Sequence, residues 1–153
     1  MDNKTAFERS KNMAAVKNKN TAPELFVRKL LFSSGFRYRL HDKKLPGSPD
    51  IVLKKYKAVL FVNGCFWHGH SGCPKSRLPT TNADFWKKKI ETNKKRDRAT
   101  IADLSMSGFR ILVVWQCACK RTVSETLSSK IKEFITGDSP YMEIGWSDVS
   151  VKG

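Results

Sequence analysis

Two cysteines, two histidines and an adjacent Phe-Trp pair fall within the eleven residues from Asn63 to Cys73. Thiols and imidazoles are ligands that a borderline-soft ion such as Zn²⁺ prefers in proteins. The aromatic pair offers flat apolar faces on which nucleic-acid bases can stack. An ordinary structural loop needs neither feature, so the segment predicts metal binding, DNA binding or both.

A zinc site needs four ligands, and Cys65, His70 and Cys73 have a spacing that lets one loop surround a single ion. Cys117 or Cys119 could be the fourth ligand. Both follow a predicted strand on the same side by alternation, so periodicity leaves the choice open. Four protein ligands would make the zinc structural, because a catalytic zinc keeps an open position. The alternative is that the cysteines are small buried hydrophobic residues.

The chain carries 29 Lys+Arg against 14 Asp+Glu, a formal net charge of +15 on 153 residues. Such an excess favours a polyanionic partner, and the DNA phosphate backbone is the first candidate. A membrane surface is another polyanion, but no apolar stretch approaches the length of a spanning helix. The N-terminal residues lack the apolar run of a secretory signal, which predicts a cytoplasmic protein whose cysteines hold metal.

The apolar pattern predicts a sheet core interleaved with helices in one domain. Thr21 and Glu24 form a capping box before a helix that ends at Gly35, and Thr122 with Glu125 caps a closing helix. The expected strands are 36–40, 50–53 and 58–62, a meander whose last strand is central, and 111–115; the long helix spans 82–107 and the closing helix ends at about 136. The expected division is a basic arm at 1–20, an α/β domain at 21–136 and a tail at 137–153.

Asp50 opens the second predicted strand directly after a proline, where a side chain can reach from a sheet into a cleft. An acid in this place, with polar residues on the next strand, can hold catalytic Mg²⁺ in nucleases. The next strand ends Phe61-Val62-Asn63 and lacks the acid and lysine of the usual arrangement. Pro-Asp alone is more often a turn. Lys89, Asn93 and Asp97 fall four apart on the long helix and share a face, which by itself indicates only a solvated surface.

Several motifs occur together in one order, and through them the chain resembles the very short patch repair (Vsr) endonucleases, which nick DNA beside T:G mismatches. The match runs from about Arg9 to Lys120. So many blocks in this order are hard to obtain by chance. The blocks are Arg9-Ser-Lys-Asn-Met13, Thr21-x-x-Glu24, Leu45-Pro-Gly-Ser-Pro-Asp50, Gly64-Cys-Phe-Trp-His68 with His70 and Cys73, Phe85-Trp86, Asn93, Arg96-Asp97 and Val114-Trp-Gln-Cys117.

The resemblance implies a single-domain fold related to the type II restriction endonucleases, with a central mixed sheet, and an Mg²⁺-dependent DNA endonuclease. Asp50 and the main-chain carbonyl of Val62 would bind the magnesium, and Glu24 would bond to a metal-bound water. His68 would be the general base or the group that orients the water, assisted by Asp97. Glu24 could instead be only the capping acid, and Asp97 only the salt-bridge partner of a neighbouring arginine.

The resemblance also assigns the remaining residues. It makes Phe66, Trp67 and Trp86 a wedge inserted into the base stack beside the mismatch, where a T:G wobble pair is easily opened. The trio could be core, but Phe66 and Trp67 are adjacent and point in different directions, so we expect at least one to be exposed. The implied zinc ligands are Cys65, His70, Cys73 and Cys117, with Cys119 spare, and the other DNA-binding residues are Met13, Lys89 and Asn93.

Three departures from the family pattern stand out. Asn63, which belongs to the implied catalytic site, lies where histidine is common, Gln116 lies where glutamate is common, and one more residue separates His70 from Cys73. The site is then one imidazole and one carboxylate short. A zinc-stabilised DNA-binding protein with decayed nuclease activity and a restriction-type enzyme are therefore alternatives. We expect a monomer that acts on T:G-mismatched DNA in the bacterial cytoplasm, associated with the nucleoid and functionally linked to a cytosine-5 DNA methyltransferase.

Overall fold

A computed structural model describes residues 19–150 of the chain. Helix α1 (Ala22–Ser33) begins as expected, because the Thr21 hydroxyl accepts a hydrogen bond from the main-chain N–H of Glu24 at 3.3 Å. The second hydrogen bond of the predicted capping box, which the Glu24 side chain should accept, differs from the expectation. The Glu24 carboxylate accepts from the main-chain N–H of Asn20 at 3.2 Å, one residue earlier than a capping box requires. Gly35 follows the helix with a φ of 83°, which confirms the predicted end.

The strands form one mixed sheet in the order β1-β2-β3-β4-β5. β1 (Arg39–Leu40), β2 (Ile51–Leu53) and β3 (Ala58–Asn63) are antiparallel neighbours, which confirms the meander and the central place of its last strand. β4 (Arg110–Trp115) lies parallel to β3 on its other side. β1 is shorter than predicted because only its two residues find ladder partners on the short β2, while Phe36 and Tyr38 pack against the core.

Helix α2 (Ala83–Met106) connects β3 to β4 and has the predicted bounds within one residue. Its apolar residues do not all face inward: Leu104 is fully buried, but Phe85 is 55% exposed, so the expectation of burial was wrong there. Helix α3 (Ser124–Thr136) also ends where predicted. Its predicted cap is wrong, because Thr122 lies inside a 3-10 turn and Val123 occupies the cap position without a side-chain hydrogen bond.

The segment after residue 136, for which the sequence predicted no element, adds β5 (Tyr141–Ile144) and the short helix α4 (Trp146–Val149). β5 pairs with β4 in parallel, with Ile111 opposite Tyr141 and Val114 opposite Ile144. The strand was missed because it is a short edge strand with a mixed sequence. The division of the chain at residues 20 and 136 stays a prediction, but the sheet itself extends beyond residue 136.

Helices cover both faces of the sheet, so the strands lie in the middle of three layers. Val27 and Leu31 of α1 pack with Leu127 and Ile131 of α3 against one face. Leu104 of α2 packs against the other face. The predicted α/β class with a central mixed sheet is confirmed, and the architecture is consistent with a restriction-endonuclease-like fold. Over residues 19–150, every helix is too short or too polar to cross a membrane.

Arg110 at the start of β4 binds the C-terminal end of α3. Its guanidinium donates to the carbonyls of Phe134 and Ile135, each at 2.8 Å, and to that of Tyr56 at 3.2 Å. We expect Arg110→Ala to lower the free energy of unfolding by about 1–3 kcal/mol, because these carbonyls lose their donors. Urea unfolding measures the loss, and Arg121→Ala, at an exposed position, is the control. Equal losses in the two variants would contradict this role.

Candidate active site and metal centre

Two carboxylates and one imidazole meet where α1, β1 and β2 come together. Glu24 of α1 is 1% exposed, although it is charged. Asp50 directly precedes β2, and its Oδ2 accepts a hydrogen bond from the main-chain N–H of Val62 at 2.8 Å. His41 directly follows β1, and its Nε2 lies 3.0 and 3.1 Å from the two carboxylate oxygens of Glu24. One potential ligand atom from each of Glu24, His41 and Asp50 lies within 4.8 Å of the others, a spacing that could hold a metal ion.

The Glu24 carboxylate is compensated from several sides. Arg28, one turn further along α1, donates to it at 2.6 Å, and the N–H of Asn20 donates at 3.2 Å. A buried carboxylate is tolerated only when it is paired in this way. The charge of Glu24 is therefore partly balanced by protein groups.

Asp50 has fewer compensating partners, and burial raises its pKa to about 6. The hydrogen bond from Val62 and the nearby imidazoles of His41 and His68 oppose this rise, whereas the charge of Glu24 adds to it. A carboxylate that ionises reluctantly is stabilised by a bound cation. The environment of Asp50 therefore favours cation binding.

His68 forms a hydrogen-bonded pair with Asp97 of α2. Its Nδ1 lies 2.7 Å from Oδ2 of Asp97, and both side chains are 32% exposed. A carboxylate at Nδ1 leaves Nε2 of the neutral ring without its proton and free to accept one. The geometry of His68 therefore suits a general base. Asp97 pairs with His68, so a neighbouring arginine is not its only partner.

Helix α2 also positions the loop that carries His68. The Asn93 side-chain amide donates to the main-chain carbonyl of Trp67 at 2.8 Å. Gly69 adopts a φ of 62°, and an added Cβ would lie 2.4 Å from the Lys94 side chain and 2.6 Å from that of Ile90. One N–H of Asn93, expected from the sequence to contact DNA, is therefore used within the protein, while Lys89 is exposed.

The three aromatic residues expected to form a wedge do lie together. The ring centroids of Phe66, Trp67 and Trp86 are separated by 5.2 to 5.7 Å in edge-to-face arrangements. Each ring is half-buried, and the exposed Phe85 packs on Trp86. Met13 lies outside the described residues. The aromatic cluster is thus at the surface and adjoins His68 in the chain.

The predicted zinc ligands also come together. One ligand atom from each of Cys65, His70, Cys73 and Cys117 lies within 4.8 Å of the others. The Cys117 sulfur is 3.5 Å from Nδ1 of His70. The Cys119 thiol instead faces the main-chain carbonyl of Trp115 at 3.8 Å. The Cys/His cluster has a composition that could bind zinc.

The surroundings of this cluster orient its members. The His70 ring stacks on Trp115 with centroids 4.1 Å apart and planes 4° from parallel. The main-chain N–H of Trp146 donates to the Cys117 sulfur at 3.2 Å. Gly145 lies so close to His70 that an added Cβ would be 2.8 Å from the ring. The C-terminal segment missed by the sequence analysis is therefore in direct contact with the cluster.

His41 is the site residue that sequence reasoning missed. Asn63 was expected to leave the site one imidazole short, and the structure brings the imidazole of His41 beside Glu24 and Asp50. Its position follows from strand register, because Leu40 pairs with Ile51 and the next pair is His41 with Asp50. The register of β1 against β2 was the signal that could have revealed it, and the sequence alone does not fix that register.

Comparison with known proteins adds to this geometry. Residues 1–75 match the family model described as DNA mismatch endonuclease Vsr. The chain is 40% identical to DNA mismatch endonuclease Vsr of Escherichia coli (strain K12), over 89% of this chain and 88% of the relative. It is 47% identical to the type II nicking enzyme V.NmeAIP of Neisseria meningitidis, over 84% and 93% of the two chains. It is 54% identical to the type II nicking enzyme V.XorIIP of Xanthomonas oryzae pv. oryzae, over 69% and 76%.

In the absence of added divalent ions, the raised pKa of Asp50 makes the stability of the protein depend on pH. Its folded-state pKa of about 6 exceeds the ordinary 3.8, so stability present at low pH is lost as pH rises through 6. Asp50→Asn removes this loss. We expect the stability of the variant relative to wild type to grow by on the order of 1 kcal/mol between pH 5 and pH 7.5. Thermal melts at both values measure it, with Asp103→Asn as the exposed control. A difference that does not change with pH would contradict the burial of an ionisable Asp50.

Proposed function

Since the chain belongs to the Vsr family of DNA mismatch endonucleases, we propose that it nicks one strand of duplex DNA next to the thymine of a T:G mismatch. The reaction is Mg²⁺-dependent hydrolysis of a phosphodiester in very short patch repair. The observation that carries the proposal is the cluster around Asp50 at the sheet edge, with the His68–Asp97 pair near enough for its charge to act on Asp50. The relatives are named for nicking or for mismatch endonuclease activity, which agrees with this chemistry.

The chain's own oxygen donors fit Mg²⁺, which prefers carboxylate and carbonyl ligands. Asp50 and the main-chain carbonyl of Val62 would hold the ion, and Glu24 would bind one of its water molecules. Bound there, Mg²⁺ polarises the scissile phosphate and lowers the pKa of a water molecule. The raised pKa of Asp50 and the hydrogen bond that fixes its Oδ2 keep this ligand ready for a cation.

His68 takes the proton from the attacking water. Asp97 holds its Nδ1 at 2.7 Å, which orients the ring and stabilises the imidazolium that forms. Asn63 is buried at the end of β3, next to Val62. Its amide has no basic nitrogen at neutral pH, so it can orient a water molecule but cannot accept its proton.

DNA binding draws on charge and on the aromatic cluster. The formal charge of +15 attracts the phosphate backbone regardless of sequence, and Lys89 on the exposed side of α2 belongs to this surface. Phe66, Trp67 and Trp86 enter the base stack at the mismatch, where opening costs less than at a matched pair. Asn93, whose amide oxygen and second N–H have no hydrogen-bond partner within residues 19–150, and Met13 complete the contact set. We infer that the protein acts as a monomer on nucleoid DNA in the cytoplasm, and that its substrates arise where a cytosine-5 methyltransferase acts.

The decisive experiment compares strand cleavage on two duplexes. Purified protein is incubated with end-labelled T:G and T:A duplexes of the same sequence, with and without Mg²⁺. We expect one nick, in the thymine strand of the T:G duplex and only with Mg²⁺. Binding without cleavage would favour a DNA-binding protein with decayed nuclease activity. Cleavage of both strands of the T:A duplex would favour a restriction-type enzyme.

His68 and Asn63 should differ strongly in their effect on the nicking rate. We expect His68→Ala to lower the rate by about 10²–10⁴, the usual span for a general base, with little change in DNA affinity. Asn63→Ala should cost much less. Single-turnover nicking and fluorescence anisotropy measure the two quantities. Loss of zinc and of thermal stability in His68→Ala would instead make His68 a zinc ligand.

Trp67 should contribute to mismatch discrimination rather than to general affinity. We expect Trp67→Ala to weaken binding to T:G DNA by roughly 1–3 kcal/mol, the span for one stacked base. The loss on matched DNA should be smaller, because phosphate contacts are common to both duplexes. Lys95→Ala, an exposed charge on α2, is the control that should lower both affinities alike. Equal losses from Trp67→Ala would make it a core residue or a general contact.

We propose that the Cys/His cluster binds a structural Zn²⁺. A tetrahedral zinc with ordinary bond lengths separates a sulfur from a nitrogen ligand by roughly 3.5 Å. The Cys117 sulfur and His70 Nδ1 are 3.5 Å apart. Three thiolates and one imidazole also form a usual structural donor set. The four ligands leave no open position, so this ion stabilises the fold and does not take part in hydrolysis.

Cys117→Ser and Cys119→Ser make a matched pair for this assignment. We expect Cys117→Ser to lower zinc content and melting temperature, because the ion connects the 65–73 loop to the end of β4. Cys119→Ser should leave the zinc content at wild-type level. Metal analysis by mass spectrometry and thermal melts measure both. Zinc-free native protein, or the reverse pattern in the two variants, would contradict the assignment.

A further inference from the structure

The proposed mechanism gives no role to His41, which lies beside the proposed metal ligands. Its Nε2 is 3.0 and 3.1 Å from the Glu24 oxygens, and it belongs to the same group of potential ligands as Asp50. Its backbone has a φ of 48°, an uncommon conformation for a residue other than glycine. The main-chain N–H of His41 donates to the carbonyl of Asp50 at 3.1 Å. The ring is therefore held beside the two carboxylates by the β1–β2 ladder.

The spacing of these atoms suits direct coordination. Neighbouring ligands of an octahedral ion with bonds of about 2.1 Å are separated by roughly 3.0 Å. The Nε2 atom of His41 and the carboxylate oxygens of Glu24 have this separation. An ion could therefore replace the proton that now joins His41 to Glu24, with Nε2 and one Glu24 oxygen as adjacent ligands. Glu24 would then bind the ion directly, in place of the water-mediated contact proposed above. The proton moves to Nδ1 or to solvent when the ion binds.

The composition of the site indicates which divalent ion it would bind more tightly. Arg28 already compensates Glu24 at 2.6 Å, so the donor set offers less net negative charge than two free carboxylates would. Mg²⁺ depends on charged and neutral oxygen donors. The later divalent transition metals prefer imidazole nitrogen, whereas Mn²⁺ prefers oxygen ligands as Mg²⁺ does. Because Mn²⁺ is the softer of these two ions, it accepts an imidazole nitrogen more readily than Mg²⁺. A neutral nitrogen donor here favours Mn²⁺ over Mg²⁺.

We propose that His41 is a direct nitrogen ligand of the catalytic divalent ion and that it makes this site bind Mn²⁺ more tightly than Mg²⁺. The inference rests on the proposed function, since it concerns the same catalytic site. It identifies an imidazole that compensates for the asparagine at position 63. A purely positioning role, in which His41 only orients Glu24, is the competing explanation.

The test uses protein with its structural metal in place and Mn²⁺ as the probe. Electron spin-echo envelope modulation detects the nitrogen of an imidazole bound directly to Mn²⁺, and Mn²⁺ titration followed by EPR gives the affinity. We expect wild type to show the nitrogen signal and His41→Gln to lose it. The Mn²⁺ affinity of the variant should fall by at least about tenfold, since even outer partners of a metal cost that much. Its Mg²⁺ affinity, from competition, should change by less than a factor of about three.

Two further variants keep the result interpretable. Gln can still donate to Glu24, so a positioning role predicts an unchanged signal and affinity in His41→Gln. His41→Asn places a residue that tolerates a positive φ at this position, and thermal melts show whether each variant is folded. His68→Gln tests the other nearby imidazole and should keep the nitrogen signal. Absence of the signal from wild type, or its loss only in His68→Gln, would overturn the proposal.

Failure of this inference can be distinguished from failure of the proposed function. Nicking of the T:G duplex is measured with Mg²⁺ and with Mn²⁺ on the same preparations. A nitrogen signal that depends on His41, without nicking under either ion, would retain the ligand and reject the mismatch endonuclease. T:G nicking without that nitrogen signal would retain the endonuclease and reject the ligand.

Discussion

One face of helix α2 positions both loops that carry the candidate site. Asn93 and Asp97 hold the loop that contains His68, through contacts of 2.8 and 2.7 Å. Thr100, one turn further, lies against Gly47, where an added Cβ would be 2.3 Å from its methyl group. Residues three or four apart lie on the same side of a helix, so one rigid element fixes both loops. Displacement of this helix would therefore disturb the proposed base, His68, and the proposed metal ligand, Asp50, together.

A cluster of acids lies inside a protein whose formal charge is +15. The positive surface attracts phosphate, whereas carboxylates at the proposed point of cleavage would repel it. The structure reduces this conflict by burying Glu24 and pairing it with Arg28. Burial raises the pKa of Asp50 to about 6, so its full negative charge at neutral pH costs free energy that a bound cation recovers. Cation binding and DNA binding at the proposed site would thus support each other.

Strong patterns in the sequence predicted most of the fold. The long apolar periodicity of α2 and the apolar run of β3 gave their bounds within one residue. β5 was missed because four residues with a mixed pattern carry little signal before their partner is known. In the candidate site, too, some features could be predicted from local sequence and others could not. Side-chain types pointed to the Cys/His cluster, but the place of His41 depends on strand register, which local sequence does not determine. The choice of Cys117 over Cys119 depends on the 3-10 turn (Gln116–Ala118) that follows β4 and ends the alternation of the strand.

The register of β3 against β4 would also give a metal ion bound at the Cys/His cluster a part in folding. Asn63 pairs with Trp115 at the end of the ladder, and Cys65 and Cys117 each lie two residues beyond this last pair. Parallel strands joined by a long crossover form slowly, since a large loop must close before any pairing is gained. An ion held between Cys65 and Cys117 closes that loop in the native alignment. A one-residue shift would bring Gln116 or Ala118 opposite Cys65, neither of which is a thiol, whereas a two-residue shift would bring the thiol of Cys119 there. Metal capture would therefore disfavour the one-residue shifts during folding.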